Sequence, residues 1–195
     1  TISGNFLTET GDYRFLEGSL DDGHLRLSCF DGAHAFLFDG KVVDNRITSG
    51  MFYSGNHYKE PWVGFKNENF ELRNPEKLTY LKNGYDKVEF SFSNLDGEMT
   101  RLSDERFKNK VVIIQIMGSW CPNCLDESKY LSKFYAENKN KDLEIIALSF
   151  ENSKTHARAI ANLKRLKERL GNDYEVLLAQ VGSSSKLKAA EKLPM

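Results

Sequence analysis

The sequence predicts an α/β domain with helices on the faces of a sheet, preceded by a small antiparallel β meander or barrel domain. Residues 1–90 hold 10 of the 14 glycines and 15 of the 23 aromatic residues, and short β-type runs alternate there with turn pairs. Residues 91–195 instead alternate apolar strand patterns with amphipathic helix patterns. The net charge changes from −4 in the first half to +3 in the second. We therefore predict a β-rich domain over 1–67, a linker over 68–87 and an α/β domain over 88–195.

The composition excludes a nucleic-acid partner and a membrane-spanning stretch. The chain has 27 Lys and Arg against 28 Asp and Glu, so it offers no basic excess to nucleic acid, and no nucleic-acid partner is expected. No stretch approaches the roughly 18 consecutive apolar residues of a membrane span. The first residues lack a signal-peptide pattern, so any such segment is expected to have been removed already.

The first half contains seven runs of aromatic and β-branched residues. Asp-Gly pairs such as Asp22-Gly23, Asp31-Gly32 and Asp39-Gly40 separate them and predict hairpin turns. A sheet of about six to eight strands follows, which either encloses an apolar ligand or simply fills its core with aromatic side chains. Cys29 lies on one of these strands and is interpreted as a small buried hydrophobe. The predicted strands are Ile2–Phe6, Tyr13–Leu20, His24–Phe30, Ala33–Phe38, Lys41–Val43, Arg46–Tyr53 and Trp62–Lys66.

The second half predicts a hairpin followed by alternating strands and helices. The hairpin joins Val88–Ser93 to Met99–Leu102 through Asp96-Gly97, and a short helix with Ser103 as N-cap comes next. Strands are predicted at Val111–Met117, Leu143–Phe150 and Glu175–Gln180, and helices at Pro122–Asn138, Lys154–Leu170 and near Ser184–Lys192, the last capped by Ser183. Five basic residues of the second helix are interpreted as a solvated face; they are Arg158, Lys164, Arg165, Lys167 and Arg169.

The chemistry is predicted to lie in the motif Trp120-Cys121-Pro122-Asn123-Cys124. Cys121 stands where a buried strand meets a helix N-terminus, and Pro122 suits the first helical turn. Free backbone N–H groups and the helix dipole stabilise a thiolate there, so we expect a lowered pKa for Cys121. Cys124 lies one turn further on, within reach of a disulfide. The spacing therefore predicts a redox-active dithiol in which Cys121 attacks and Cys124 resolves.

The cysteine pair has two other interpretations. Half of a zinc site would need a second Cys or His pair, which Cys29 and the scattered histidines do not supply. A purely structural disulfide is possible, although a strand-to-helix junction behind Trp120 is an unusual place for one. The prediction therefore includes no metal and no other cofactor.

The segment Lys110–Glu127 resembles the active site of TlpA/ResA-like thiol-disulfide oxidoreductases of the thioredoxin superfamily, which overlap the AhpC/TSA group. The resemblance covers about residues 88–195, including the approach Leu102–Lys110. It implies a thioredoxin fold, a bacterial periplasmic or otherwise extracytoplasmic setting, disulfide-bearing protein substrates, a membrane or periplasmic thiol reductant and an antioxidant role. Anchoring to a membrane through a removed N-terminal segment is part of the same expectation.

The chain departs from that family at identifiable positions. Gln115 stands where thioredoxin has a buried Asp, and a Gln cannot act as a general base. Glu127 matches a family Glu and is predicted to tune the thiols or relay a proton, the alternative being an exposed helix carboxylate. Lys129 stands where a Pro is frequent. The family's cis-Pro loop and later strands are missing, so we expect a domain truncated at its C-terminus, with Val111–Met117 as an unpaired edge.

The sequence is compatible with two alternative functions. A thiol peroxidase of the peroxiredoxin type would need a Thr three residues before its reactive Cys, where this chain has Gly118. In the other alternative the β domain is a binding module and the α/β domain a passenger. A depressed thiol pKa would favour an enzyme over this last alternative.

Overall fold

The computed structural model describes residues 1–9, 11–139, 141–182 and 193–194. The chain divides into two compact units, Thr1–Thr79 and Tyr80–Met195. This division falls within the segment 68–87 for which we predicted a linker. The helix predicted near Ser184–Lys192 lies outside the described residues.

The first unit is built around a six-stranded antiparallel sheet. Its strands follow one another in the order β1-β4-β5-β6-β7-β8, while β2 and β3 form a separate two-stranded pair. β1 and β8 lie at the two edges, and no ladder joins them in the part of the chain that the structure describes, so this is an open meander. The strands are β1 Ile2–Gly4, β2 Leu7–Thr8, β3 Gly11–Asp12, β4 Leu16–Asp21, β5 His24–Phe30, β6 Ala35–Val43, β7 Arg46–Ser54 and β8 Tyr58–Phe65.

One face of this sheet carries an apolar core. In β5 the buried Leu25 and Leu27 alternate with exposed neighbours, as expected of a strand with one covered face. Phe38 joins them, and the ring of Phe6 stacks on it with centroids 4.2 Å apart. Cys29 is half-buried against this cluster, which agrees with its interpretation as a small hydrophobe.

Sequence reasoning misread the Asp39-Gly40 pair as a turn. Asp22-Gly23 does form a tight hairpin turn, with φ values of 48° and 74°. Asp39-Gly40 does not: β6 runs continuously through it, with a register irregularity between Asp39 and Lys41. The glycine serves close packing here, because a Cβ on Gly40 would lie 2.7 Å from Cγ2 of Ile47.

The second unit contains a five-stranded mixed sheet and two helices. Its strand order is β10-β9-β13-β12-β11, with β11, β12 and β13 parallel and the β9–β10 hairpin antiparallel. Its elements are β9 Ser91–Asn94, β10 Met99–Arg101, β11 Val111–Met117, α1 Pro122–Asn138, β12 Leu143–Glu151, α2 His156–Leu170 and β13 Glu175–Val181. Short 3-10 helices cover Pro75–Lys77 in the first unit and Glu105–Phe107 in the second. Ser103 is not an N-cap, because Asp104 precedes the second of these.

Both faces of this sheet are covered, as parallel strands require. Along β12, Ile145 and Ala147 pack into one core cluster and Ile146 and Leu148 into the other, and all four side chains are fully buried. Among the described strands β11 pairs with β12 alone and lies at the edge of the sheet, as expected from the sequence.

Local signals set the ends of the helices. Pro122 occupies the first turn of α1. The Thr155 hydroxyl caps α2 by accepting a hydrogen bond from the backbone N–H of Arg158 at 3.3 Å. Gly171 ends α2 in the left-handed conformation, with φ 58°, and donates its N–H to the carbonyl of Glu168. Among the described residues, no helix is long and apolar enough to cross a membrane.

Candidate active site

The two motif cysteines lie at the start of α1, directly after the turn that follows β11. Cys121 is the N-cap residue, with φ −96° and ψ 115°, and its Sγ accepts a hydrogen bond from the backbone N–H of Cys124 at 3.2 Å. A disulfide joins Cys121 to Cys124, whose Cα atoms are 5.2 Å apart. Both residues are half-buried. The sulfur of Cys121 thus lies where helix N–H groups favour a negative charge.

The side chain of Trp120 is fixed next to the dithiol. Its Nε1 donates a hydrogen bond to the carbonyl of Phe150 at 2.9 Å, while 40% of the residue remains exposed. Gly118 makes this position possible, because a Cβ there would lie 2.8 Å from Cε2 of Trp120 and 2.9 Å from the Phe150 oxygen. The position three residues before Cys121 therefore has no room for a side chain.

A buried carboxylate that the sequence analysis missed supports the same turn. Glu151 is fully buried at the end of β12. One of its oxygens accepts hydrogen bonds from the backbone N–H of Ser119 at 2.8 Å and from the Ser149 hydroxyl at 2.7 Å. The other accepts from the Ser119 hydroxyl at 2.7 Å. The predicted strand stopped at Phe150; an acidic residue directly after an apolar run was the available signal.

Gln115 is the centre of a polar network beneath the first turns of α1. Only 2% of it is exposed, and its Nε2 donates to Glu127 Oε2 at 3.0 Å and to Ser128 Oγ at 3.1 Å. The Tyr174 hydroxyl donates to the Gln115 carbonyl oxygen at 3.2 Å. Burial raises the pKa of Tyr174, which keeps this hydroxyl protonated as a donor. Ser128 and Tyr174 were not predicted, because nothing local in the sequence connects them with the motif.

The other predicted site residues take different positions. Glu127 is exposed, and one of its carboxylate oxygens accepts a hydrogen bond from Gln115 Nε2 at 3.0 Å. Asn123 is exposed and Pro122 half-buried in the first turn. Lys129 leaves α1 unbroken and forms an ion pair with Asp126 at 3.2 Å. In the described ranges, no three or more His, Cys, Asp or Glu residues are grouped as a metal site would require.

Comparison with known proteins places the second unit in a family. Residues 84–186, just over half of the chain, match the AhpC/TSA family. The chain belongs to the AhpC/TSA family. The matched range includes the site residues Cys121, Cys124, Gln115, Glu127, Glu151 and Tyr174.

Several known proteins are similar to part of the chain. Thiol-disulfide oxidoreductase ResA of Bacillus thuringiensis subsp. konkukian is 37% identical over 65 residues, which are 33% of this chain and 36% of that protein. The thioredoxin-like protein YneN of Bacillus subtilis is 28% identical over 125 residues, 59% of this chain and 72% of that protein. The chain spans 36% to 47% of the length of the ResA proteins of the Bacillus thuringiensis group and Bacillus anthracis that it matches.

Solved structures with a similar arrangement include a thiol-disulfide oxidoreductase from Bacteroides fragilis. It is 22% identical, with a TM-score of 0.43, and the match covers 53% of this chain and 71% of the other.

Proposed function

We propose that this protein is a thiol-disulfide oxidoreductase that reduces disulfides of other proteins through Cys121 and Cys124. The observation that carries the proposal is the position of Cys121 Sγ, which caps α1 and accepts the N–H of Cys124 at 3.2 Å. A thiolate at that sulfur gains the same N–H hydrogen bond and the favourable end of the helix dipole. The similarity to ResA supports the same activity.

The reaction we propose has two exchange steps. The Cys121 thiolate attacks one sulfur of the substrate disulfide, forming a mixed disulfide and releasing the other substrate sulfur as a thiolate, which takes up a proton. The Cys124 thiol then loses its proton, and the resulting thiolate attacks Cys121 Sγ and releases the second substrate sulfur as a thiolate, which takes up a proton. Two electrons pass from the dithiol to the substrate, and the protein is left with the Cys121–Cys124 disulfide. A dithiol reductant at a membrane or in the periplasm must then reduce that disulfide.

We assign the proton transfer at Cys124 to Glu127, positioned by Gln115. Gln115 cannot exchange a proton, but its Nε2 holds the Glu127 carboxylate at 3.0 Å and reaches the carbonyl of Cys124 at 3.5 Å. Glu127 lies on α1 one turn beyond Cys124, and its exposure gives it contact with solvent protons. Trp120, Pro122 and Asn123 would shape the surface that the substrate meets.

A thiol peroxidase of the peroxiredoxin type is the alternative enzyme that is compatible with the AhpC/TSA match. The structure argues against a peroxide-orienting Thr at position 118, because any Cβ there would collide with Trp120 and the carbonyl of Phe150. We expect the reduced protein to consume hydrogen peroxide no faster than a small dithiol does. Peroxide turnover that depends on Cys121 and exceeds that rate would favour the alternative and an antioxidant role.

We further propose that the chain works outside the cytoplasm, in an arrangement with a β module over 1–67, a linker over 68–87 and a thioredoxin-like domain over 88–195. The resemblance of Lys110–Glu127 to TlpA/ResA-like proteins supports this setting. A separate binding role for the β module is the third function that we retain. Fractionation of a tagged chain in its source cells tests the location.

The central test is reduction of insulin by the chain with dithiothreitol as the electron source. We expect Cys121→Ser to abolish the catalysed rate, and Cys124→Ser to trap substrate on Cys121 as a mixed disulfide that mass spectrometry identifies. Cys29→Ser is the matched control, since Cys29 lies in the core cluster of the first unit and should leave the rate unchanged. An unchanged rate in Cys121→Ser would refute the proposed function.

A further inference from the structure

A cleft of about 260 Å³ opens beside the dithiol. Trp120 and Leu125 contribute to its wall from the motif side, and they are the sequence neighbours of Cys121 and Cys124. A segment bound in this cleft would therefore contact the residues that directly precede and follow the Cys121–Cys124 motif. The two exchange steps of the dithiol do not use this cleft.

The opposite wall comes from one face of α2. Asn162, Arg165 and Arg169 all line the cleft, and their spacing of three and four residues places them on the same side of the helix. Both arginines are exposed, and no hydrogen bond or ion pair joins either guanidinium to a residue that the structure describes. Neighbouring lysines of α2 differ in this respect: Lys164 pairs with Asp96 at 2.7 Å, and Lys167 donates to the carbonyl of Tyr174 at 2.8 Å.

The remaining polar lining is neutral. It includes the exposed Asn152 and the half-buried Asn162, whose Nδ2 donates to Ser153 Oγ at 3.3 Å. No carboxylate is among the lining residues, all of which are described. Glu151 precedes Asn152 in the chain, but it is fully buried and its oxygens are taken by Ser119 and Ser149. The cleft therefore has a net positive charge that nothing in its own wall neutralises.

We propose that this cleft is a specificity site that binds an acidic segment of the disulfide substrate, with Arg165 and Arg169 contacting Asp or Glu side chains close to the substrate cysteine. The inference rests on the proposed function, because it names the kind of substrate that the dithiol would reduce. Guanidinium groups suit this role, since their planar N–H pairs match a carboxylate and are less strongly hydrated than an ammonium group. Charge complementarity of this kind selects partners and speeds their encounter.

Stabilisation of the α2 dipole does not account for both arginines. Arg169 lies in the last turn, where a cation favours the helix C-terminus. Arg165 lies more than one turn before the end, where that effect has faded. Its position on the face shared with Asn162 and Arg169 is explained by the cleft.

The test compares matched oxidised peptides that differ only in two positions beside the cysteine, Glu in one peptide and Gln in the other. We expect kcat/KM of the whole chain to favour the Glu peptide by about 3- to 10-fold at low salt, as two exposed charge contacts allow. The Arg165→Gln/Arg169→Gln double variant should bring this ratio close to one, mainly through KM. The control Lys154→Gln/Arg158→Gln removes the same charge from exposed positions outside the cleft lining and should keep the ratio.

A second readout separates this inference from the proposed function. Fluorescence anisotropy of a labelled Glu peptide without cysteine measures binding alone. Binding that is lost in the Arg165→Gln/Arg169→Gln variant supports the cleft even if no peptide is reduced, in which case only the proposed function fails. Equal rates and equal binding for Glu and Gln peptides would overturn the inference, as would an identical loss in the control variant.

Discussion

At the residue scale, the two motif cysteines differ in what surrounds their sulfur atoms. Cys121 caps α1, so its sulfur accepts a helix N–H, whereas Cys124 lies inside the first turn and packs against the core cluster containing Met117. A helix N-terminus stabilises a thiolate, whereas partly apolar surroundings do not, so we predict that Cys121 is the more acidic thiol of the reduced protein. The two thiols should therefore react in a fixed order.

We expect iodoacetamide at pH 6.5 to label Cys121 first in the reduced protein. Only a thiol with a lowered pKa is substantially ionised at that pH. For Cys29, burial raises the pKa, so it serves as an internal control that should react slowly. Peptide mapping by mass spectrometry measures the order of labelling. Faster labelling of Cys124 or Cys29 would contradict the assigned roles.

The proposed role of Glu127 gives a second prediction. Glu127→Gln keeps the shape and the contact with Gln115 but cannot exchange a proton, so disulfide reduction should slow by up to about 100-fold. The pH–rate profile should change as well, which loss of a merely structural contact would not cause. Asp126→Asn is the control, because Asp126 is the adjacent carboxylate on α1. If both variants keep the profile of the unmodified chain, Glu127 is simply a surface carboxylate.

Glu151 provides a prediction about stability. Glu151→Leu would leave the Ser119 N–H and two serine hydroxyls without their acceptor, at a cost of at least about 2 kcal/mol in the free energy of unfolding. Glu151→Gln retains an acceptor oxygen, so its free energy of unfolding should lie between those of the unmodified chain and Glu151→Leu. Glu137→Gln, an exposed carboxylate on α1, should change stability by less than about 0.5 kcal/mol. Urea unfolding followed by circular dichroism ranks the variants. A fully stable Glu151→Leu would show that the buried carboxylate does not support the turn.

At the element scale, the sequence predicted those elements whose signals are local. β11 and α1 were predicted with the bounds that the structure has, because an apolar run of seven residues and a Pro at the first helical turn are both visible in the chain. Asp39-Gly40 was misread because a turn and a strand irregularity use the same residue types. Periodicity cannot tell these apart without the partner strand.

The same distinction applies to the site. Cys121 and Cys124 are three residues apart and their pairing was predictable. Glu151 and Ser119 are 32 residues apart, and Tyr174 lies 59 residues from Gln115. These contacts depend on the pairing of β11, β12 and β13, which places residues from separate strands side by side. Without the sheet register, no local pattern identified them.

The end of α2 allows an element-scale prediction. Gly171 has φ 58°, and a Cβ there would meet nothing within 4 Å, so any cost of substitution comes from the backbone conformation alone. Gly171→Ala should destabilise the second unit by about 1–2 kcal/mol, and Gly171→Asn by less, since Asn tolerates this conformation better. Thermal unfolding of the two variants measures the difference. Equal stability of Ala and Asn at this position would argue against the left-handed cap.

At the scale of the whole molecule, each unit has its own core and its own tryptophan. Trp62 packs against the core of the first unit, and Trp120 stands beside the dithiol of the second. Carboxyl groups with a lowered pKa occur in both units. In the first, a hydrogen bond from His24 lowers the pKa of Asp39. In the second, a hydrogen bond from Lys164 lowers the pKa of Asp96.

These lowered pKa values predict that acid weakens both units. An unfolded Asp takes up its proton near pH 4, whereas the folded group takes it up only at lower pH, so the unfolded state binds more protons between these values. The stabilisation is therefore complete above about pH 5 and is lost as the pH falls through the lowered folded values. Two single-tryptophan variants report the units separately: Trp120→Phe leaves Trp62 of the first unit, and Trp62→Phe leaves Trp120 of the second. For each variant, the urea midpoint should be the same at pH 7 and pH 5 and should fall at pH 3. In the second unit, 1 M NaCl should reduce the drop, because the Asp96–Lys164 pair is exposed and screened by salt. Asp96→Asn should likewise have a smaller acid-induced shift than the parent. A midpoint that stays constant from pH 7 to pH 3 would mean that these carboxyl groups have the same pKa in the folded and unfolded states.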